Sequence, residues 1–271
     1  LPLSDEIEPD RAPGVKFGPQ IKTYILQPID PSSAGVLGVD QDGLGIKMWG
    51  GSDRRIIEWL LPKLPVTAHS RAMRDLMRRL LLSNAASPQG ATDGQSLMAL
   101  RVSSLMAMGD IKAAEALLAV TPANLDDEAL LRARVDSLFL VNDSAGACPH
   151  ITTAIRKSQD VFWQKALIFC QALNGEHDRA VLGIDLMREQ KTNVDQTFFK
   201  LIGTLLGEWE GKIESFSDPT ALQLAMARAG NLRLPDDVME TQNSALLAAI
   251  AISPNANTEI RLAAAEKAES A

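Results

Sequence analysis

The side chains in this 271-residue sequence best suited to covalent or metal chemistry are two cysteines, Cys148 and Cys170, and three histidines, His69, His150 and His177. Two thiols can close a disulfide, and Cys148, His150, Cys170 and His177 together have the donor types of a zinc site. No Cys-x-x-Cys pair fixes a tetrahedral geometry, and two buried free thiols packing as small apolar groups are a third reading. Neither His-Glu-x-x-His, Gly-x-Ser-x-Gly nor Ser-x-x-Lys occurs, and Gly43, Gly45, Gly50 and Gly51 fit neither a phosphate loop nor a dinucleotide fingerprint. The sequence therefore carries none of the usual signatures of a nucleophile, general base or cofactor loop, and it points away from an enzyme.

The acidic clusters have structural readings. Asp126-Asp127-Glu128 stands where a helix after Asn124 should begin, and carboxylates there complement the helix dipole. Asp40-x-Asp42-Gly43 has part of a calcium loop, but the later ligands and the closing Glu are out of register, so a hairpin turn is expected. One basic cluster breaks the acidic balance of the chain, whose net charge is -7: from Arg54 to Arg79 seven cations meet only Glu58 and Asp75. Arg71, Arg74 and Arg78 fall on one helical stripe, opposite Met73, Leu76, Met77 and Leu80. Such a stripe suits an acidic partner, a phospholipid head group or the chain's own acidic units, besides plain solvation. A pI near 5.1 and only 12 aromatics argue against a nucleic-acid partner. The longest apolar run, Ala245 to Ile252, is too short to span a bilayer. A start at Leu1 without methionine and a helix-prone end at Ala271 read as a mature or trimmed piece of a longer protein.

The elements that carry these residues are mainly helical. Residues 1–34 hold six of the 14 prolines and read as an irregular arm. The glycine-rich stretch 35–52 carries Asp42-Gly43 between short apolar runs, which predicts a small β-hairpin. From Asp53 to the end, residues 53–271, apolar residues recur at three- and four-residue spacing as a helical domain. Thr92 with Gln95, Asn193 with Gln196 and Ser217-Asp218-Pro219 read as helix starts; Pro122 and Pro254 read as stops.

Within the helical region the sequence repeats. Arg101-Val102-Ser103-Ser104-Leu105 and the five residues after it align with Arg134-Val135-Asp136-Ser137-Leu138 and its continuation, 33 residues on. Gly109, Asn142 and Gly175 keep that offset, as do Ala114, Ala147 and Ala180, and Gly207 follows 32 residues later. Gly and Asn accept the left-handed conformation that closes a first helix, the acid that follows opens a second, and the small Ala lets the two pack closely. The expected unit is a helical hairpin of about 33 residues, with a second helix after Gly207-Glu208 as after the others.

This frame, with Gly109-Asp110-Ile111-Lys112-Ala113-Ala114 and Leu117-Leu118, resembles the tetratricopeptide type of repeat between about Thr92 and Phe216. The family's usual Trp and Tyr of the first helix are mostly absent, and Pro122 alone fits its repeat-end proline. The resemblance implies an all-α solenoid of stacked hairpins; a compact helical bundle is the alternative. In that frame Cys148 in one second helix and Cys170 in the next first helix lie side by side, so a disulfide and an oxidising, periplasmic or otherwise extracytoplasmic compartment are expected. Arg101 and Arg134, equivalent in successive units, are expected on an exposed groove that recognises carboxylates. The functional expectation is a non-catalytic protein-interaction scaffold of a bacterial-type envelope assembly, binding protein partners through Arg71, Arg74, Arg78, Arg101 and Arg134 and needing no cofactor. The alternatives are the helical accessory region of a longer cell-wall hydrolase, as in soluble lytic transglycosylases, and a carrier of an apolar ligand among Met73, Met77, Met98, Met106 and Met108.

Overall fold

A computed structural model describes residues 30–66, 70–92, 94, 96–121, 127–190 and 195–270. Among them are twelve α-helices and no strand: α1 Arg54–Leu60, α2 Arg71–Leu82, α3 Leu97–Ala107, α4 Ile111–Ala119, α5 Glu128–Leu140, α6 Ser144–Ala154, α7 Val161–Leu173, α8 His177–Glu189, α9 Gln196–Leu205, α10 Ala221–Ala229, α11 Ser244–Ala251 and α12 Thr258–Ser270. Side-chain oxygens open most of them by accepting a backbone N–H of the first turn, including those of Ser70, Ser96, Asp110, Asp127, Asp143, Asp160, Asp195, Thr220 and Asn243. Several caps fall a few residues beyond the expected ones. Thr220 with Gln223 forms the capping box ahead of α10 in place of Ser217-Asp218-Pro219, and Thr92 instead holds the carboxylate of Glu58 at 3.1 Å. Gln95, Pro122, Asn124, Asp126 and Asn193 lie outside the described residues, as does the arm before Asp30.

The hairpin turns follow one rule. At Gly109, Asn142, Gly175 and Gly207 φ is +76°, +66°, +75° and +73°. In each turn this residue donates back to the third preceding carbonyl, Met106, Phe139, Ala172 and Thr204 in order, and the acid that follows donates to the residue before that. Ala114, Ala147 and Ala180 are fully buried, which lets α4, α6 and α8 lie close against α3, α5 and α7. Neighbouring hairpins also touch: α3 and α4 pack on α5, α6 packs on α7, and α7 packs on α9.

Past Gly207-Glu208 the order departs from expectation, because no second helix follows α9. Gly211 lies tight under the Trp209 ring, Ile213 and Phe216 are drawn into the core, and Asp237 accepts the Phe216 N–H and the Ser215 hydroxyl. The chain thus runs back in non-helical form, and α10 packs across α5, α7 and α9 while α11 packs on α3 and α5. The apolar interior forms two clusters, one from Trp49 to Ala133 and one from Ile111 to Ala264.

Residues 35–52 are not a β-hairpin. Asp42 has φ +64°, but Gly43 does not share the positive φ that a two-residue hairpin turn of this kind requires, and Gly45 and Gly51 break the second arm with φ of +89° and +81°. The backbone pairs with the loop after α2 instead: Val36 and Leu37 donate to the Leu82 carbonyl, Asn84 to that of Leu37, and Ala86 to that of Ile46. Gly35 is required there, since a Cβ would lie 2.3 Å from the Asn84 nitrogen.

Asp195 knots three helices. It caps α9, receives Lys165 Nζ of α7 at 2.8 Å and is approached by Gln223 Nε2 of α10 at 3.3 Å. Partial burial pushes this carboxyl up, but these bonds outweigh it and hold the group below the usual carboxylate range. A carboxyl whose folded pKa lies below its unfolded value, near 3.9, stabilises fully above about pH 5, and that support is lost as pH falls through the folded pKa. Asp195→Asn is therefore expected to flatten the acid limb of stability below about pH 5, measured by urea unfolding at a series of pH values. An acid limb of unchanged slope would show that the charge contributes nothing.

Candidate functional site

A cleft of ≈ 900 Å³ opens where four elements meet. One wall is α3 and α5, presenting Ser103, Met106, Ala107, Ala133 and Leu140; the other is the start of α10, from Asp218 to Ala221, and the start of α11, from Glu240 to Leu246. It exists because α10 and α11 return onto α3 and α5 with their caps Thr220 and Asn243 at the surface, while Ser244, Ala245 and Leu246 of the first α11 turn are buried. The first N–H groups of a helix have no helical carbonyl to bond, so two sets of backbone donors border the cleft. Thr220 and Asn243 each satisfy part of their set, Asn243 Oδ1 accepting from both Ala245 and Leu246.

Three of the charged groups lining the cleft, Arg132, Asp136 and Asp218, are restrained. Arg132 stacks over the Phe162 ring, its guanidinium carbon 3.2 Å from the centroid, and donates from Nε to Asp136 at 2.9 Å. Burial pushes the Asp136 carboxyl up, against the opposing pull of Arg132. Asp218 accepts the Thr241 hydroxyl at 2.8 Å. Nearby, Glu128 receives Ser158 Oγ and Trp163 Nε1, and these bonds hold its carboxyl below the usual range. The acidic triplet at the α5 start therefore divides its work: Asp127 caps the helix and Glu128 ties α5 to α7, while Asp126 lies outside the described residues. The arrangement combines hydrogen-bonding groups with a mixed apolar and polar lining.

The arginines expected to bind partners are not brought together. Arg101 is fully buried, contrary to the expected exposed groove. Its Nε donates to the Leu81 carbonyl, one terminal nitrogen to those of Ser32 and Ala34, and the other to that of Ser83. It thus binds the end of α2 to the chain entering the domain, and its burial lowers its pKa to about 10. A residue enclosed by the end of α2 and the segment after Asp30 has no solvent to face. Arg134 is half-buried and donates to the Leu118 carbonyl at 2.7 Å. Arg71 and Arg78 are exposed, Arg78 bridging to Asp110 at 2.7 Å, and Arg74 reaches the Glu269 carbonyl at 3.4 Å.

Cys148 of α6 and Cys170 of α7 form a disulfide with their Cα atoms 5.7 Å apart, so neither sulfur is available to the four-residue zinc set. His150 lies near Arg134; burial first and that charge second lower its pKa, while His69 lies outside the described residues. Among the described residues no group of three or more His, Cys, Asp or Glu could hold a metal ion. The methionines do not share a cavity: Met77 and Met98 are buried, Met73 is exposed, and of the five only Met106 lines the cleft.

Sequence reasoning missed Arg228. On α10 it is buried, donating to the carbonyls of Phe139 and Leu140 at the end of α5, to that of Ala249 in α11 and to the Ser253 hydroxyl. The available signal was a cation inside the apolar run Leu224 to Ala229, as Arg101 is inside Leu97 to Val102. No helix among the described residues is long and apolar enough to cross a membrane. Comparison with protein-family models, with curated proteins and with solved structures gives no match to this chain.

Proposed function

We propose that this chain is a tetratricopeptide-like α-solenoid serving as a non-catalytic docking scaffold in an extracytoplasmic, envelope-associated assembly. It takes a segment of a partner protein into the cleft between α3, α5 and the starts of α10 and α11. The observation that carries this reading is the cleft itself: it has room for several side chains of an extended segment and opens to solvent. The N–H groups at the exposed start of α10 can receive the segment's carbonyls, while Met106 and Ala107 provide apolar contact. The recurring 33-residue turns and contacts between successive hairpins support the solenoid, and the Cys148–Cys170 bridge supports the oxidising compartment. Because α10 and α11 cover part of the first helices, the docking surface is this cleft rather than a long inner face.

Filling the cleft tests the reading. Ala107→Trp and Ala129→Trp, both at exposed positions on its rim, are each expected to weaken capture of the partner at least about tenfold. Capture from an envelope extract would be compared between wild type, the two variants and Val39→Ser, a surface change elsewhere, with far-UV circular dichroism confirming the fold. A partner retained equally by all four proteins would sink the cleft assignment.

A further inference from the structure

α1 has two apolar faces. Ile57 and Leu61 point into the core, 6% and 3% exposed. The opposite stripe, Ile56, Trp59, Leu60 and Lys63, keeps the i, i+3, i+4, i+7 spacing through α1 and the 3-10 turn after it, and none of the described residues covers it. Trp59 is 63% exposed, with Lys63 Nζ 2.9 Å from its ring centroid. On α2, Met73 and Leu76 are also largely exposed.

Charge decides what this surface fits. The segment from Arg54 to Arg79 carries +5 on a chain of net -7. Arg54 is used internally by Asp30 and Glu58, Arg78 by Asp110 and Arg79 by the Asp42 carbonyl. Among the described residues the guanidinium groups of Arg55 and half-buried Arg74 make contacts no shorter than 3.5 Å and 3.4 Å, to Asp53 and the Glu269 carbonyl, and Arg71 is exposed. A second copy would bring two such positive ends together and be repelled. A lipid surface offers laterally continuous negative charge to cations on both helices, and indole and long cationic side chains favour its headgroup boundary.

We propose that the α1–α2 end adsorbs to an anionic phospholipid bilayer, with Trp59, Ile56 and Leu60 entering the headgroup boundary and Arg55, Arg71, Arg74 and Lys63 meeting lipid phosphates. The test is co-sedimentation of the whole protein with vesicles of phosphatidylglycerol and phosphatidylcholine in equal parts, beside phosphatidylcholine alone. Binding is expected to the mixed vesicles, to weaken with salt, to fall about fivefold for each of Arg71→Ala and Arg74→Ala, and to fall about tenfold or more for Trp59→Ser. Because Trp59 is exposed, Trp59→Ser is expected to keep the wild-type melting temperature. Trp59→Phe should still bind while removing the blue shift of tryptophan emission on vesicle addition. Any of four results would overturn the proposal: no binding, equal binding to neutral vesicles, undiminished binding of Trp59→Ser, or a solution dimer that Trp59→Ser dissolves without any vesicle binding.

Discussion

Arg228→Ala is expected to lower the free energy of unfolding by about 4 kcal/mol, far beyond an ordinary surface change. Four of the guanidinium's five N–H donors are used, three of them on backbone carbonyls of α5 and α11 and one on Ser253. Carbonyls at helix ends have no helical N–H to accept, and these lie where water does not reach. Removing the cation takes the donor from the Leu140 carbonyl and the charged partner from those of Phe139 and Ala249, which keep the Asn142 N–H and the Ser253 hydroxyl; it also removes favourable charge from two helix C-termini and opens a void the size of a side chain. Burial alone lowers the pKa of this group to about 10, so it remains charged at neutral pH and no carboxylate is needed to keep it so. Arg228→Lys, which keeps the charge but cannot fork, should recover only part of the loss. Urea unfolding of both variants against Arg233→Ala, at an exposed arginine nearby, measures the effect. A loss below about 1 kcal/mol would mean that the carbonyls find other partners. Arg101→Ala is the parallel case at the other end of the array, with four backbone carbonyls left open.

Removing the disulfide should have the second largest effect, about 3 kcal/mol. Cys148 and Cys170 are 22 residues apart, and cross-linking a loop of that size reduces the freedom of the unfolded chain by about that amount. The bridge joins α6 to α7, the contact between two successive hairpins, so the loss also loosens the stacking of one unit on the next. For a chain of this size the melting midpoint should fall by roughly 8 °C in a strong reductant or in the Cys148→Ala/Cys170→Ala double variant. Both should give the same shift, and the reductant should do nothing further to the variant. Two sulfhydryls titrated in freshly purified, denatured protein would remove the support for an extracytoplasmic location.

What could be read in the sequence was local. Gly109, Asn142 and Gly175 announce left-handed turns because few residues tolerate that conformation, and Ala114, Ala147 and Ala180 announce close helix contact because nothing larger fits. The pairing of Cys148 with Cys170 followed from the same frame. What stayed hidden depends on contacts distant in sequence. Arg101 and Arg134 are equivalent in the repeat, yet the first is enclosed by α2 and the segment after Asp30 while the second lies half-open beside α4. No periodicity within one helix could tell them apart. The cleft is equally non-local, since Ser103 and Asn243 meet only because the chain turns back after α9. Asp42-Gly43 misled for a related reason: its neighbours found backbone partners in the loop after α2 rather than in each other.

The return of α10 and α11 across earlier hairpins changes how the molecule should come apart. In an open row each unit depends only on its neighbours, and the ends can fray one at a time. Here α11 touches α3 and α5 while α10 reaches α5, α7 and α9, so early and late segments hold one another like a clasp. Loss of either end exposes the other, which favours a single concerted melting step. The clasp also acts as a ruler: splicing in one more hairpin between α5 and α9 would carry the carbonyls of Phe139 and Leu140 out of register with Arg228, so the number of units there is fixed by the closure.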